Sequence, residues 1–441
     1  MALFRKDQRS IHKMSAFSAH LVETFTAPTN IAVIKYWGKN DLKLNTPMNS
    51  SSSITLDQAD LHTITSIAAS QEIKTDRMWL NGNEFEINGR LKTCLEEIRK
   101  IAGDRKDASG NIIVNKEDWH KYKVHIVSIN TFPTGAGLAS SAAGLACFVS
   151  TLAKLYCAQE QYPGHLTAIA RQGSGSASRS MFGGFVEWQK GERADAHDSI
   201  AIQRADENYW PEMRAVICVV SDKEKDTSST SGMETSRKTS TLLQHRASVV
   251  VQGRIEAMEK AFKAKDFDTF GRLTMQDSNQ FHAVCMDTYP PIFYMNDISK
   301  AIIRLCTVIN AHYADEEGRG IKAAYTFDAG PNAVIYCLEQ DAPLIYAIMA
   351  RYFPAPREAE AYTNKPNLYQ SVTADADLIP AALVEKLNKC GRVPTAGDVK
   401  FIFYTKSGPG PIEQPISEAI LDVATGMPID VSHKHRRMKI V

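Results

Sequence analysis

Pro133-Thr-Gly-Ala-Gly-Leu-Ala-Ser-Ser-Ala-Ala143 is the stretch on which the reading of this chain turns. Before it, between Tyr122 and Ile129, apolar Val124 and Ile126 alternate with polar neighbours, the period-two pattern of a strand. After it, Ala142, Leu145, Ala146, Val149, Leu152, Ala153 and Tyr156 recur at steps of three and four, which predicts a helix. Strand, glycine turn and helix start together make a geometry that holds phosphate. Gly135 and Gly137 let main-chain N–H groups approach an anion, and Ser140 and Ser141 sit at the positive end of the helix. No Gly-Lys-Ser/Thr follows, so this is not a Walker loop; Ser140 stands where a dinucleotide fingerprint needs a third glycine. A tight strand-to-helix crossing fits the same residues, and partner motifs must decide.

The chain's 441 residues exceed one ordinary core, so two domains are expected. The composition, 44% hydrophobic and 23% charged, is that of a soluble globular protein. With 51 Lys+Arg against 50 Asp+Glu there is no global field to recruit nucleic acid or an anionic membrane. Any anion site must be local. Eight scattered cysteines without a C-x-x-C pair read as reduced thiols of an intracellular protein. The histidines lack metal-ligand spacing, which argues against a transition-metal site. Gly137 to Ala158 is apolar enough to mimic a membrane span, but its small residues and amphipathic spacing predict a buried helix. Residues 1–20 read as a mobile extension with no apolar core for a secretory signal. A composition change near Asn208 to Pro211 divides the remainder into 21–208 and 209–441.

Three further segments carry chemistry. Ala27 to Lys39 runs A-P-T-N-I-A-V-I-K-Y-W-G-K, a buried strand ending in Lys35, Tyr36, Trp37 and Lys39. Two lysines and two aromatics at a strand mouth suit an anionic ligand, although an edge strand with snorkelling lysines also fits. Gln172 to Arg179, Q-G-S-G-S-A-S-R, puts Ser174, Ser176 and Arg179 on a glycine-flexed turn suited to phosphate or carboxylate. Phe327-Asp-Ala-Gly-Pro-Asn332 sets Asp328 at a strand end, as a turn aspartate or a site carboxylate. The serine run in Pro47–Leu56 reads as a loop, as do residues 354–373 and the hydroxyl-rich Asp226–Gly232. Asn81-Gly82 predicts a hairpin, residues 241–273 long helices, and Asp277 to His282 a polar segment whose His282 is structural.

Together these four segments resemble the mevalonate diphosphate decarboxylases of the GHMP small-molecule kinase superfamily. The likeness runs from about Phe25 to the Ser407–Pro411 loop and includes Trp79–Gly82, Asp277–His282 and Tyr289–Ile292. The glycine loop is common to the superfamily; the K-Y-W-G-K and G-S-G-S-A-x-R segments are specific to the decarboxylases. Gly135 stands where the family commonly has Ala, Ser178 where it has Cys, and Ser52 where it has Leu.

The resemblance implies a two-domain α+β fold, with an N-terminal domain like ribosomal protein S5 domain 2 and a ferredoxin-like C-terminal domain. It implies a homodimer, and a reaction converting mevalonate 5-diphosphate and ATP, with Mg2+ on the nucleotide, to isopentenyl diphosphate, carbon dioxide, ADP and phosphate. It assigns Asp328, Lys35 and Arg179 to catalysis. Tyr36, Trp37, Lys39, Ser174, Ser176 and Arg179 fall to the substrate, with Ser229 and Thr230 as weaker candidates. Gly135, Ala136, Gly137, Leu138, Ala139, Ser140 and Ser141 fall to ATP. A superfamily kinase acting on mevalonate or its phosphate is the alternative enzyme, and a binding protein that kept the pocket is the alternative of another class. Intact Lys35, Arg179 and Asp328 argue against the latter. A cytosolic location is expected, with the peroxisome as alternative because Lys13-Met14, five residues, then His20-Leu21 approximates a targeting signal.

Overall fold

A computed structural model describes residues 20–132, 139–221, 223, 225–316, 318–356 and 358–430. The expected mobile extension and most of the glycine loop, Gly135 to Leu138 included, lie outside the described residues. The chain forms three main sheets. The first has the order Ile412–Glu413, Leu21–Pro28, His62–Ser70, Lys123–Asn130, Arg77–Leu80, Asn83–Phe85. Its pairings are antiparallel except that of Lys123–Asn130 with Arg77–Leu80. The Asn81-Gly82 turn has φ of 55° and 85°, the doubly positive pair that a tight hairpin requires. Helices Gly89–Lys100, Ser140–Leu155 and His165–Gly173 cover one face of this sheet through Leu95, Phe148, Leu152 and Ile169. Ile420 and Leu421 cover the other, so the chain at this point returns to its first sheet. No helix among the described residues is long and apolar enough to cross a membrane.

The second sheet orders Ala201–Ala205, Phe185–Trp188, Ser51–Thr55 and Asn30–Ile34. Here the serine run departs from its reading as a loop: Ser51–Thr55 is a wholly buried strand between two neighbours. The hydroxyls of Ser51, Ser53 and Thr55 find partners inside the protein, which offsets the cost that keeps such groups out of cores. The third sheet is antiparallel, in the order Ala324–Phe327, Ala333–Leu338, Met213–Val219, Phe401–Lys406. Helices Asp297–Tyr313 and Ala342–Tyr352 lie on its outer face. Its inner face shares one core with the second sheet and with helices Val251–Lys263 and Phe267–Asp287. Phe185 of the second sheet stacks on Phe262 at 4.4 Å between ring centroids, and Phe270 meets Tyr336 edge-on at 5.8 Å. Each such buried ring contributes about 1.5–3 kcal/mol, so this junction is a core, not a loose hinge.

Two more expectations change. Asp277–His282 is no free polar segment; it lies inside helix Phe267–Asp287, where Asp277, Ser278, Phe281 and His282 are buried. The helical region also breaks at 264–266 and contains a π-helical turn at Arg246–Val250. Residues 354–373, read as loop, contain most of helix Pro366–Ala374, which starts on proline, the residue best suited to a first helical position.

Candidate functional site

Lys35 is delivered by the strand Asn30–Ile34, whose five residues are all buried. Asp328 follows the strand Ala324–Phe327, where the turn to Ala333–Leu338 leaves the sheet. The fold brings them together: Lys35 Nζ donates to Asp328 Oδ1 at 2.6 Å. The pair lies in a cleft of about 410 Å³ that also takes in Tyr36, Trp37, Lys39, Ala139, Ser140, Ser141, Ser174, Ser176, Arg179, Ser229 and Thr230. Every candidate residue inside the described part of the chain therefore lines one cavity.

Arg179, on the short helix Ala177–Ser180, is buried and held by three side chains. Its Nε donates to Ser53 Oγ at 3.0 Å and Asn30 Oδ1 at 3.2 Å, and its Nη1 to Ser51 Oγ at 2.7 Å. Burial pushes its pKa down to about 10, and Asp328 opposes that shift. The guanidinium stays charged at neutral pH. Burial likewise lowers the pKa of Lys35 below the ordinary lysine value, against the charge and hydrogen bond of Asp328. Lys39 is pushed down to about 8 by burial and by neighbouring Arg90. The Tyr36 phenol, raised by burial, stays neutral, and its buried oxygen has no hydrogen-bond partner among the described residues. Its ring stands edge-on to Trp188 at 4.7 Å. Trp37 lines the cleft while its indole N–H donates to Ser236 Oγ at 2.9 Å.

Hydroxyls line the remaining wall. Ser141 Oγ is 3.4 Å from Ser174 Oγ, which is 3.3 Å from Ser176 Oγ. Ser141 lies in the first turn of Ser140–Leu155, where main-chain N–H groups have no intrahelical partner. Of the departures from the family pattern, Ser178 donates to Gly175 O at 2.7 Å and so braces the serine turn. Ser52 is buried with no partner for its hydroxyl among the described residues, and Gly135 is outside them.

Sequence reasoning missed Arg90, Lys225, Ser51, Ser53 and Asn30. Arg90 Nη2 lies 3.5 Å from Thr230 Oγ1, and Lys225 Nζ donates to Ser229 Oγ at 2.8 Å and Ala329 O at 3.1 Å. Both line the cleft, yet in sequence one opens an amphipathic helix and the other sits in a charged loop. The serines carried a usable signal: Ser51, Ser53 and Thr55 alternate with Ile54 and Leu56 at a strand's period.

Among the described residues, Lys35, Lys39, Arg90, Arg179 and Lys225 face a single carboxylate, Asp328, in this cleft. A chain with almost no net charge has concentrated cations at one place, a site for a polyanion. The lone carboxylate, already engaged by Lys35, offers no cage for a divalent cation. Mg2+ fits this donor set only as a companion of bound phosphates.

Two family models match the chain: a diphosphomevalonate decarboxylase-like N-terminal domain over residues 27–201, and a mevalonate 5-diphosphate decarboxylase C-terminal domain over residues 215–414. The chain is 49% identical over 397 residues to the diphosphomevalonate decarboxylase of Danio rerio, covering 89% of this chain and 93% of that protein. The structure of mevalonate diphosphate decarboxylase from Trypanosoma brucei is 35% identical, with a TM-score of 0.79 over 91% of this chain and 100% of the other. A structure described as MDDEF in complex with MVAPP, AMPPCP and magnesium is 26% identical, with a TM-score of 0.63 over 90% and 99% of the two chains. This chain belongs to the diphosphomevalonate decarboxylase family.

Proposed function

We infer that the enzyme catalyses the ATP-dependent decarboxylation of mevalonate 5-diphosphate to isopentenyl diphosphate, with release of carbon dioxide, ADP and phosphate. The observation that carries this reading is the Lys35–Asp328 pair, 2.6 Å apart in a cation-rich cleft that also holds Arg179. ATP supplies a phosphoryl group that turns the substrate's tertiary hydroxyl into a leaving group, and magnesium accompanies its phosphates. Support for both comes from the relative described with MVAPP, AMPPCP and magnesium, since AMPPCP is an ATP analogue.

The residues then divide the work. A carboxylate is too weak a base to deprotonate an alcohol in advance, so Asp328 accepts the proton as the new P–O bond forms. The Lys35 ammonium orients the carboxylate and balances charge beside it. Arg179 presents a planar fork to the departing carboxylate of the substrate. Tyr36, Lys39, Arg90, Ser174 and Ser176 hold the substrate diphosphate, while Ser140, Ser141 and the glycine loop receive the ATP phosphates.

The test is incubation with ATP, magnesium and mevalonate 5-diphosphate, followed by quantification of ADP and carbon dioxide. Equal yields support the decarboxylase. ADP alone identifies a superfamily kinase, and neither product a binding protein.

A homodimer is proposed from family resemblance, and light scattering of the purified chain tests it. A cytosolic location is proposed on the eight free cysteines, which suit a reducing compartment. A reporter carried into peroxisomes by residues 1–25 overturns it.

A further inference from the structure

The run Asp277-Ser-Asn-Gln-Phe-His282 puts only Phe281 into the cleft, yet Asp277, Ser278 and Asn279 bond to Lys35, Phe327 and Tyr325, at the two strands that carry the reacting pair. Asp277 is fully buried. Its Oδ1 accepts the main-chain N–H of Lys35 at 2.7 Å. The same carboxylate takes Arg246 Nη2 at 2.7 Å, Arg246 Nη1 at 2.8 Å and Arg254 Nη1 at 2.9 Å. Arg246 Nη2 also donates to Lys35 O at 3.0 Å. Both polar atoms of the Lys35 main chain are thus gripped by side chains contributed more than two hundred residues later in the chain. Next to Asp277, Ser278 Oγ accepts the N–H of Phe327 at 3.0 Å, the residue before Asp328. Adjacent positions of one helix therefore hold the backbone at Lys35 and the backbone beside Asp328.

The local structure is shaped to this end. Arg246 opens the π-helical turn Arg246–Val250, and such turns concentrate at functional sites. A buried ion pair gives little net stability over well-packed apolar groups of equal volume, so positional specificity explains it better. We propose that Asp277 is a positioning residue for the reaction: its carboxylate, backed by Arg246 and Arg254, fixes the Lys35 main chain so that the ammonium meets Asp328. It touches neither substrate nor nucleotide. The inference rests on the decarboxylase reading of the cleft.

The clamp also has an electrostatic consequence. Asp328 and Asp277 favour the Lys35 ammonium, whereas burial and Arg179 disfavour it. The remaining charged or titratable neighbours are Arg246 and Arg254 across Asp277, Lys225 beyond Asp328, Tyr36, and His282. Burial, then the Lys35 charge, push His282 down to about 4, so it is neutral in the working range. Removing the Asp277 charge leaves two arginines unbalanced near Lys35, and both changes favour the neutral amine.

The test is Asp277→Asn, which keeps size and removes charge. The readouts are kcat at saturating substrates across pH, the KM for mevalonate 5-diphosphate and the unfolding midpoint. Saturation matters because bound diphosphate keeps Lys39 charged and leaves the alkaline limb of kcat to the buried lysines beside Asp328, Lys35 and Lys225, of which Lys35 is the one bonded to Asp277. The expected result is a kcat lower by about 100-fold, the cost of misplacing a reacting group by about 1 Å. KM stays near that of the wild type, and the alkaline limb moves to lower pH. A limb that does not move, with activity lost only in proportion to folded protein, overturns the proposal. If Asp277→Asn does not fold, Arg254→Gln decides. It removes the part-exposed cation, leaves Arg246 on Asp277 and should move the limb to higher pH; an unmoved limb overturns the proposal there too. Wild-type enzyme run alongside separates the two inferences. Absence of carbon dioxide release sinks the decarboxylase reading, and an active wild type with unmoved variant limbs sinks only the clamp.

Discussion

Lys35 Nζ and Asp328 Oδ1 meet at 2.6 Å across 293 positions of sequence, one from the mouth of the second sheet and the other from a turn of the third. The lysine is almost wholly buried, with its side chain 3% exposed, while the aspartate keeps 27% exposure toward the cleft. That asymmetry leaves the carboxylate able to reach a ligand while the ammonium anchors it.

Replacing Asp328 by Asn keeps the size and removes the negative charge and its basicity. General-base contributions run about 100- to 10,000-fold, and kcat should fall by that much or more. ADP and carbon dioxide should fall together because proton and phosphoryl transfer are coupled. Nucleotide affinity, measured by titration with an ATP analogue, should barely change, since the proposed seat of the ATP phosphates is the Ser140–Ser141 side of the cleft. A folded variant with kcat close to that of the parent returns Asp328 to the role of a turn residue.

Arg179→Lys keeps a cation but loses the fork. The Nε bonds to Ser53 and Asn30 and the Nη1 bond to Ser51 cannot all be made by one ammonium. We expect kcat/KM to drop by about 100-fold from lost orientation. A lysine variant with near-normal kcat/KM would show that the bidentate anchor is not needed.

How far the sequence discloses this site follows from where each residue's partners lie. Ser140–Leu155 was legible from its own helical periodicity, and Asn30–Ile34 from the unbroken apolar run Ile31 to Ile34 that a strand buried on both faces needs. The strand Ser51–Thr55 shows a period-two alternation, but the burial of its Ser51 and Ser53 depends on Arg179, which is 126 to 128 residues away. Asp277 reads only as part of a polar segment until Arg246 and Arg254 are seen to surround it. Arg90 and Lys225 are ordinary surface residues in a linear reading and become site residues only when the sheets close around them. The four motif segments carried the chemistry; the side chains that support them depend on contacts no local pattern encodes.

Ser52 offers a test of stability apart from activity. Its hydroxyl is buried without a partner among the described residues, a state that costs about 1–3 kcal/mol. Ser52→Ala removes the group with little change in volume and should raise the unfolding free energy by about 1 kcal/mol, read as a higher urea midpoint at unchanged m-value. A lower midpoint would mean that the hydroxyl is satisfied in solution.

Lys39 gives the cleft a pH dependence of its own. It is 3% exposed, and its pKa is pushed down to about 8 by burial first and Arg90 second. The sign follows directly: below pH about 8 the ammonium is present and attracts the substrate diphosphate, and as pH rises through 8 that attraction is lost. The profile of kcat/KM reports groups of the free enzyme, so for mevalonate 5-diphosphate it should bend near pH 8 and then fall about tenfold per pH unit. Lys39→Arg should abolish the bend, since a guanidinium stays charged throughout, at some cost in fit. Lys39→Met should bind the diphosphate weakly at every pH and also show no bend. Persistence of the bend in the arginine variant would assign the titration to another group and leave Lys39 as a fixed charge.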